Sequence, residues 1–136
     1  MAWKEYPYLG FWENSDVTYR PYIPITLHNG ENMFTVDALV DSGADFLVAN
    51  TDIARALEIN LDLCPRRGLS GSTGSKDCYA CDLTYEVEGF PKVVIETQVF
   101  FLDDLPVPCL VGQGDFFSRF LVQFDKSTNS FKVRRK

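Results

Sequence analysis

The sequence predicts an all-β domain with one or two short helices. Three observations carry this: runs of two-residue alternation, turn residues set between them, and the scarcity of stretches long enough for a helix. Ile23, Ile25 and Leu27 alternate with Pro24 and Thr26, and Asn29-Gly30 then offers a turn with positive φ. Phe34, Val36, Ala38 and Val40 alternate with Thr35, Asp37 and Leu39, so the two runs form a hairpin that leads into Asp41. Leu83, Tyr85 and Val87 alternate with Asp82, Thr84, Glu86 and Glu88, the pattern of a strand with one wet face. Gly89-Phe90-Pro91 turns the chain, and Val93 to Leu102 makes the next strand.

Helix signals are brief. Thr51 is an N-cap candidate for a helix through Ile53, Ala54, Ala56 and Leu57, and a second helical turn is expected around Phe116 to Phe120. The segments Phe120–Phe124 and Phe131–Arg134 flank the polar run from Asp125 to Ser130 and close the chain as a strand pair. No repeat, linker or low-complexity stretch divides the 136 residues, a length that suits one domain, with its core over about 21–125.

Composition excludes several functions. A formal charge of −6 opposes binding to a phosphate backbone, and the one basic cluster, Arg134-Arg135-Lys136, reads as solvated. The N-terminal residues lack the apolar core of a signal peptide, and no run approaches the ~20 apolar residues of a membrane span. A cytoplasmic protein with neither nucleic acid nor membrane as partner is expected. Cys64, Cys78, Cys81 and Cys109 are too few and too scattered for a disulfide framework. Cys78 and Cys81 have CxxC spacing, yet four zinc ligands are not at hand, and Cys81 starts a strand pattern rather than a helix. Free thiols, no metal and no cofactor are therefore expected. A phosphate loop needs a Gly-Lys pair, which is absent. His28, the only histidine, reads as an exposed residue beside the Asn29-Gly30 turn, and no base is suggested for Ser42 as a nucleophile.

The segment with chemical content is Ala38-Leu39-Val40-Asp41-Ser42-Gly43-Ala44-Asp45. An apolar strand runs into a carboxylate, then a small hydroxyl residue, then a glycine. The carboxylate can face a cleft from the strand end, the hydroxyl can brace the loop, and the glycine permits close backbone approach. The triplet alone is also ordinary turn chemistry. Two later segments give it context: the glycine- and serine-rich Arg67–Ser75, and Cys109 to Phe120 with its Leu110-Val111-Gly112 step.

With these segments in that order, residues Pro21 to Asp125 resemble the retropepsin-like, single-domain aspartic peptidases of cellular and bacterial type. The resemblance implies a closed β-barrel of the acid-protease type and an endopeptidase that activates water with Asp41. Ser42 would tie the two active-site loops together across a dimer, and Gly43 would bond substrate backbone. Ala44 and Asp45 would line the site, Gly71 and Ser72 would belong to a flap over Gly68 to Ser75, and Leu110-Val111-Gly112 would pass behind the catalytic loop.

Such chemistry needs two aspartates sharing one proton, because like charges that close cannot both ionise. Only one Asp-Ser-Gly triplet occurs, and Asp115, followed by Phe116, lacks the turn chemistry for a second. The resemblance therefore implies a homodimer acting on a peptide or protein substrate. Gln113 stands where retroviral relatives carry an arginine that pairs with the acid equivalent to Asp45, so the hold between helix and loop, and the dimer strength, stay open, with Arg119 as an alternative cation. Two further readings also stay open: a non-proteolytic peptide-binding or dimerisation module on the same fold, and a domain of a larger regulatory protein.

Overall fold

The computed structural model describes residues 2–71 and 74–136. Twelve strands are numbered in chain order: β1 Lys4–Pro7, β2 Leu9–Glu13, β3 Asp16–Arg20, β4 Tyr22–Asn29, β5 Asn32–Val40, β6 Leu47–Asn50, β7 Arg66–Gly71, β8 Gly74–Val87, β9 Phe90–Leu102, β10 Cys109–Val111, β11 Phe120–Asp125 and β12 Ser130–Arg135. Among the described residues one α-helix, α1, spans Thr51–Ala56, with a 3-10 turn at Leu61–Leu63 and a π-helical turn at Gln113–Phe117.

The expected hairpin is present. β4 and β5 pair antiparallel with Ile25 opposite Val36, and Gly30 takes the positive φ, +61°, that the tight connection demands. Alternation then sorts the side chains: Ile23, Ile25 and Leu27 are buried on β4, as are Ala38 and Val40 at the end of β5. The main sheet runs β4-β5-β10-β6-β9-β8-β7, and a further pairing of β4 with β8 closes six of these strands into a barrel. Its interior holds Leu47, Tyr85, Ile95, Phe101, Val111 and Phe116 among others, all fully buried. A smaller cluster of Val48, Cys78, Ala80, Phe100 and Leu102 lies apart from it.

Several elements differ in detail from the expectation. The cap of α1 is Asn50, whose side chain accepts from the Asp52 N–H, while Thr51 is buried and its hydroxyl donates to Asp103. The second helical turn starts three residues earlier than expected, because Phe117 N–H and Ser118 N–H reach back five residues to Gly112 and Gln113. The chain reverses at Glu88-Gly89, with Gly89 at φ +94°, and β9 already begins at Phe90. Pro91 falls where the pairing slips between Val87↔Phe90 and Glu86↔Val94, a bulge that needs no N–H from it.

The strands ahead of Pro21 left little alternation to read. β1 joins β12 and β11 in a three-stranded sheet, and β2 pairs with β3 in a sheet of two, so most of the residues of β1, β2 and β3 are exposed. Cys81 lies inside β8 rather than at its start, and Cys78 belongs to the smaller cluster while Cys81 belongs to the barrel core. An odd spacing on a strand sends the two side chains to opposite faces, which separates the CxxC pair. All four cysteines are free thiols, three buried and Cys64 half-buried. His28 is not an exposed turn residue but a half-buried member of β4, with Nε2 3.4 Å from Glu86 Oε1. Among the described residues, no helix is long and apolar enough to cross a membrane.

Candidate active site

Asp41 sits just past the end of β5, where parallel pairing with β10 places Val40 beside Val111. Its backbone N–H donates to the Val111 carbonyl at 3.1 Å. The chain then bends back on itself. Gly43 N–H donates to Asp41 Oδ1 at 2.9 Å, and Ala44 N–H donates to the Asp41 carbonyl at 3.2 Å. This turn presents the half-buried Asp41 carboxylate to a cleft of about 580 Å³.

Asp41, Gly43, Ala44 and Asp45 form one side of that cleft. Gly68, Leu69, Ser70 and Lys76, from the β7–β8 hairpin, form another. Val48, Leu102, Leu105 and Leu110 add an apolar wall, with Phe46 at the loop's end stacked at a tilt on Phe100. Three segments far apart in sequence, the aspartate loop, the glycine-rich hairpin and the Leu110 strand, thus meet around one space. Gly71 ends β7 opposite Gly74, while Ser72 lies outside the described residues. Ser42 is exposed, and its carbonyl rather than its hydroxyl is engaged, accepting from Gln113 Nε2 at 2.7 Å.

The turn after β10 holds the loop from behind. Gln113 N–H donates to Ala44 O at 2.8 Å and Gly114 N–H to Asp45 O at 2.9 Å. A Cβ on Gly112 would stand 2.5 Å from the Ala44 carbonyl oxygen and 2.9 Å from its carbon, so only glycine lets the two backbones meet. Where the arginine is missing, neutral hydrogen bonds hold the helical turn to the loop: Gln113 contributes one from its backbone and one from its side chain. Arg119 does not take the arginine's place toward Asp45. It donates instead to the Asp115 carbonyl and the Ser118 hydroxyl.

Asp115, set aside above as a second catalytic carboxylate, has a buried structural place instead. It is 2% exposed, accepts from Gly112 N–H at 3.0 Å and from the Tyr85 hydroxyl at 2.8 Å, and burial raises its carboxyl above the usual range against the pull of those bonds. A usable signal was present: an acid three residues past Gly112 has the spacing of a carboxylate that reaches back to a helix N-cap. Phe46 and Lys76 also line the cleft, and nothing in their local sequence marks either one. Elsewhere a cavity of about 480 Å³ lies beside His28, Thr84 and Glu96, and no cluster of metal-ligating side chains occurs among the described residues.

No family model matches the chain, and no curated protein matches it by sequence. Solved structures do. A retropepsin-like aspartic protease from Rickettsia conorii superposes with a TM-score of 0.63 over 97% of this chain and 91% of that one, at 16% identity. The fold is retropepsin-like. EIAV protease, solved with the inhibitor HBY-793, matches at a TM-score of 0.53 and 23% identity over 69% of this chain and 82% of that one. The retropepsin-like architecture is therefore shared, at identities where side-chain chemistry must be argued residue by residue from this chain.

Proposed function

We propose that the protein is an aspartic endopeptidase in which residues 1–136 form one subunit of a homodimer and Asp41 of each subunit completes a shared site. The observation that carries this reading is the Asp41 turn itself: a carboxylate at a strand end, fixed by its own loop and facing a cleft with an apolar wall. Oδ1 of Asp41 is occupied by Gly43 N–H, and the bracing of the loop by Gln113 and Gly114 gives the carboxylate a set position before any substrate arrives. The exposed Ser42 hydroxyl is available to brace a second copy's loop.

In the dimer, one Asp41 takes a proton from a water held between the two carboxylates while the protonated partner donates to the scissile carbonyl oxygen. Water oxygen bonds to the carbonyl carbon, and proton transfer to the amide nitrogen then lets the carbon–nitrogen bond break. This division of labour needs one proton shared between the two carboxylates. Gly68 to Gly71 of the β7–β8 hairpin would contact the bound peptide, with Ala44 and Asp45 along its main chain. The apolar wall suits a substrate segment with apolar side chains.

The test is cleavage of a peptide library by wild type and Asp41→Asn. Asparagine keeps the shape and removes the base, so cleavage should be lost with the fold and melting temperature preserved. Retained cleavage by the variant ends the peptidase reading. A wild-type dimer that binds peptides yet cleaves none at any pH is instead a binding module on the same fold.

A further inference from the structure

The mechanism above leaves unused one buried ionisable pair directly behind the catalytic loop. Asp115 Oδ1 accepts from the Gly112 N–H and Oδ2 from the Tyr85 hydroxyl. No cation forms an ion pair with Asp115 among the described residues. Burial, and then the charge of Asp115, push the Tyr85 hydroxyl far above its usual range, so Tyr85 stays a donor. A lone buried carboxylate is a poor choice for stability, since an apolar core residue would avoid its desolvation. Its placement calls for another explanation.

We infer that Tyr85 and Asp115 are positioning residues for the Asp41 loop, acting through Gly112. The kinetic part of this inference rests on the peptidase reading, and the geometric part does not. Tyr85 lies on β8, which pairs with β4 on one side and β9 on the other, so its ring is fixed in the barrel wall. Its hydroxyl sets Asp115, and Asp115 sets the direction of the Gly112 N–H. That orientation aims the next two N–H groups, of Gln113 and Gly114, at the carbonyls of Ala44 and Asp45. The π-helical turn supplies the extra residue that lets both N–H groups face the loop while the Asp115 side chain returns to Gly112. From Tyr85 the chain of contacts ends at the loop that holds Asp41, with no step wider than a hydrogen bond.

Tyr85→Phe removes the donor and keeps the ring. Well below its melting temperature, amide exchange at Asp41, Gly43, Ala44, Gln113 and Gly114 should quicken by about tenfold, the scale of one hydrogen bond to a charged group. Exchange in β8 and β9 should stay as in wild type. With a cleavable peptide, kcat should fall by a similar factor, while KM and dimer mass hold. Asp115→Asn keeps an acceptor for Gly112 N–H and can donate its amide to the Tyr85 oxygen, so it should stay near wild type in both readouts. Asp115→Ala should not. If Tyr85→Phe proves unfolded, the comparison of Asp115→Asn with Asp115→Ala decides the same question. A lower melting temperature with wild-type loop exchange and kcat would overturn the inference and leave the pair a purely structural one. If wild type cleaves no peptide, the peptidase reading fails separately, and the exchange rates alone uphold or overturn the positioning role.

Discussion

Asp41 and Val111 are joined by a 3.1 Å bond from the aspartate's N–H to the valine's carbonyl, one residue past the point where β5 and β10 pair in parallel. The bond ties the loop that presents the carboxylate to the strand that precedes Gly112. Position at this site is therefore set by backbone contact between two segments some seventy residues apart, not by the side chains of the Asp-Ser-Gly triplet alone.

The tightest point of that contact gives the first prediction. Gly112→Ala places a methyl group 2.5 Å from the Ala44 carbonyl oxygen, where only backbone movement can relieve it. A loss of stability toward the upper end of roughly 1–3 kcal/mol is expected, the range for overpacking a filled interior. Whatever folded protein remains should have lost most of its activity, because the loop must shift. Chemical denaturation with a cleavage assay on the folded fraction checks both. Full activity in a stable Gly112→Ala protein would mean the backbones are not held as close as described.

How much of this was legible in sequence depends on range. The β4–β5 hairpin could be read because its alternation and its Asn29-Gly30 turn are local. The Asp41 triplet could be read for the same reason. The role of Gln113 could not, since its partner Ser42 O belongs to a loop that only parallel pairing of β5 with β10 brings near. For Asp115 only the reach back to Gly112 had a local signal, its three-residue spacing; the Tyr85 partner comes from β8 and left none. The first three strands stayed unread because they bury little apart from Tyr6, so no alternation marks them.

A second prediction concerns pH and Asp115. Burial raises its folded carboxyl above the unfolded value, so the folded state holds a proton there more firmly than the unfolded chain. The contribution to stability is then fully present below the unfolded value and is lost as pH rises through the folded one. Asp115→Asn cannot titrate and removes this dependence. Against wild type, the variant should gain relative stability on going from acid to neutral pH, in melts run side by side. A constant difference at every pH would show that the folded protein does not raise this carboxyl.

The central claim is that activity requires Asp41 from two chains, and mixing subunits tests it most directly. Wild type is combined with increasing Asp41→Asn protein at constant total concentration, with time for exchange, and peptide cleavage is measured. If the site is shared, mixed dimers are dead and total activity falls with the square of the wild-type fraction. Activity proportional to the wild-type fraction would contradict the account, because each chain would then be cleaving with its own Asp41 alone.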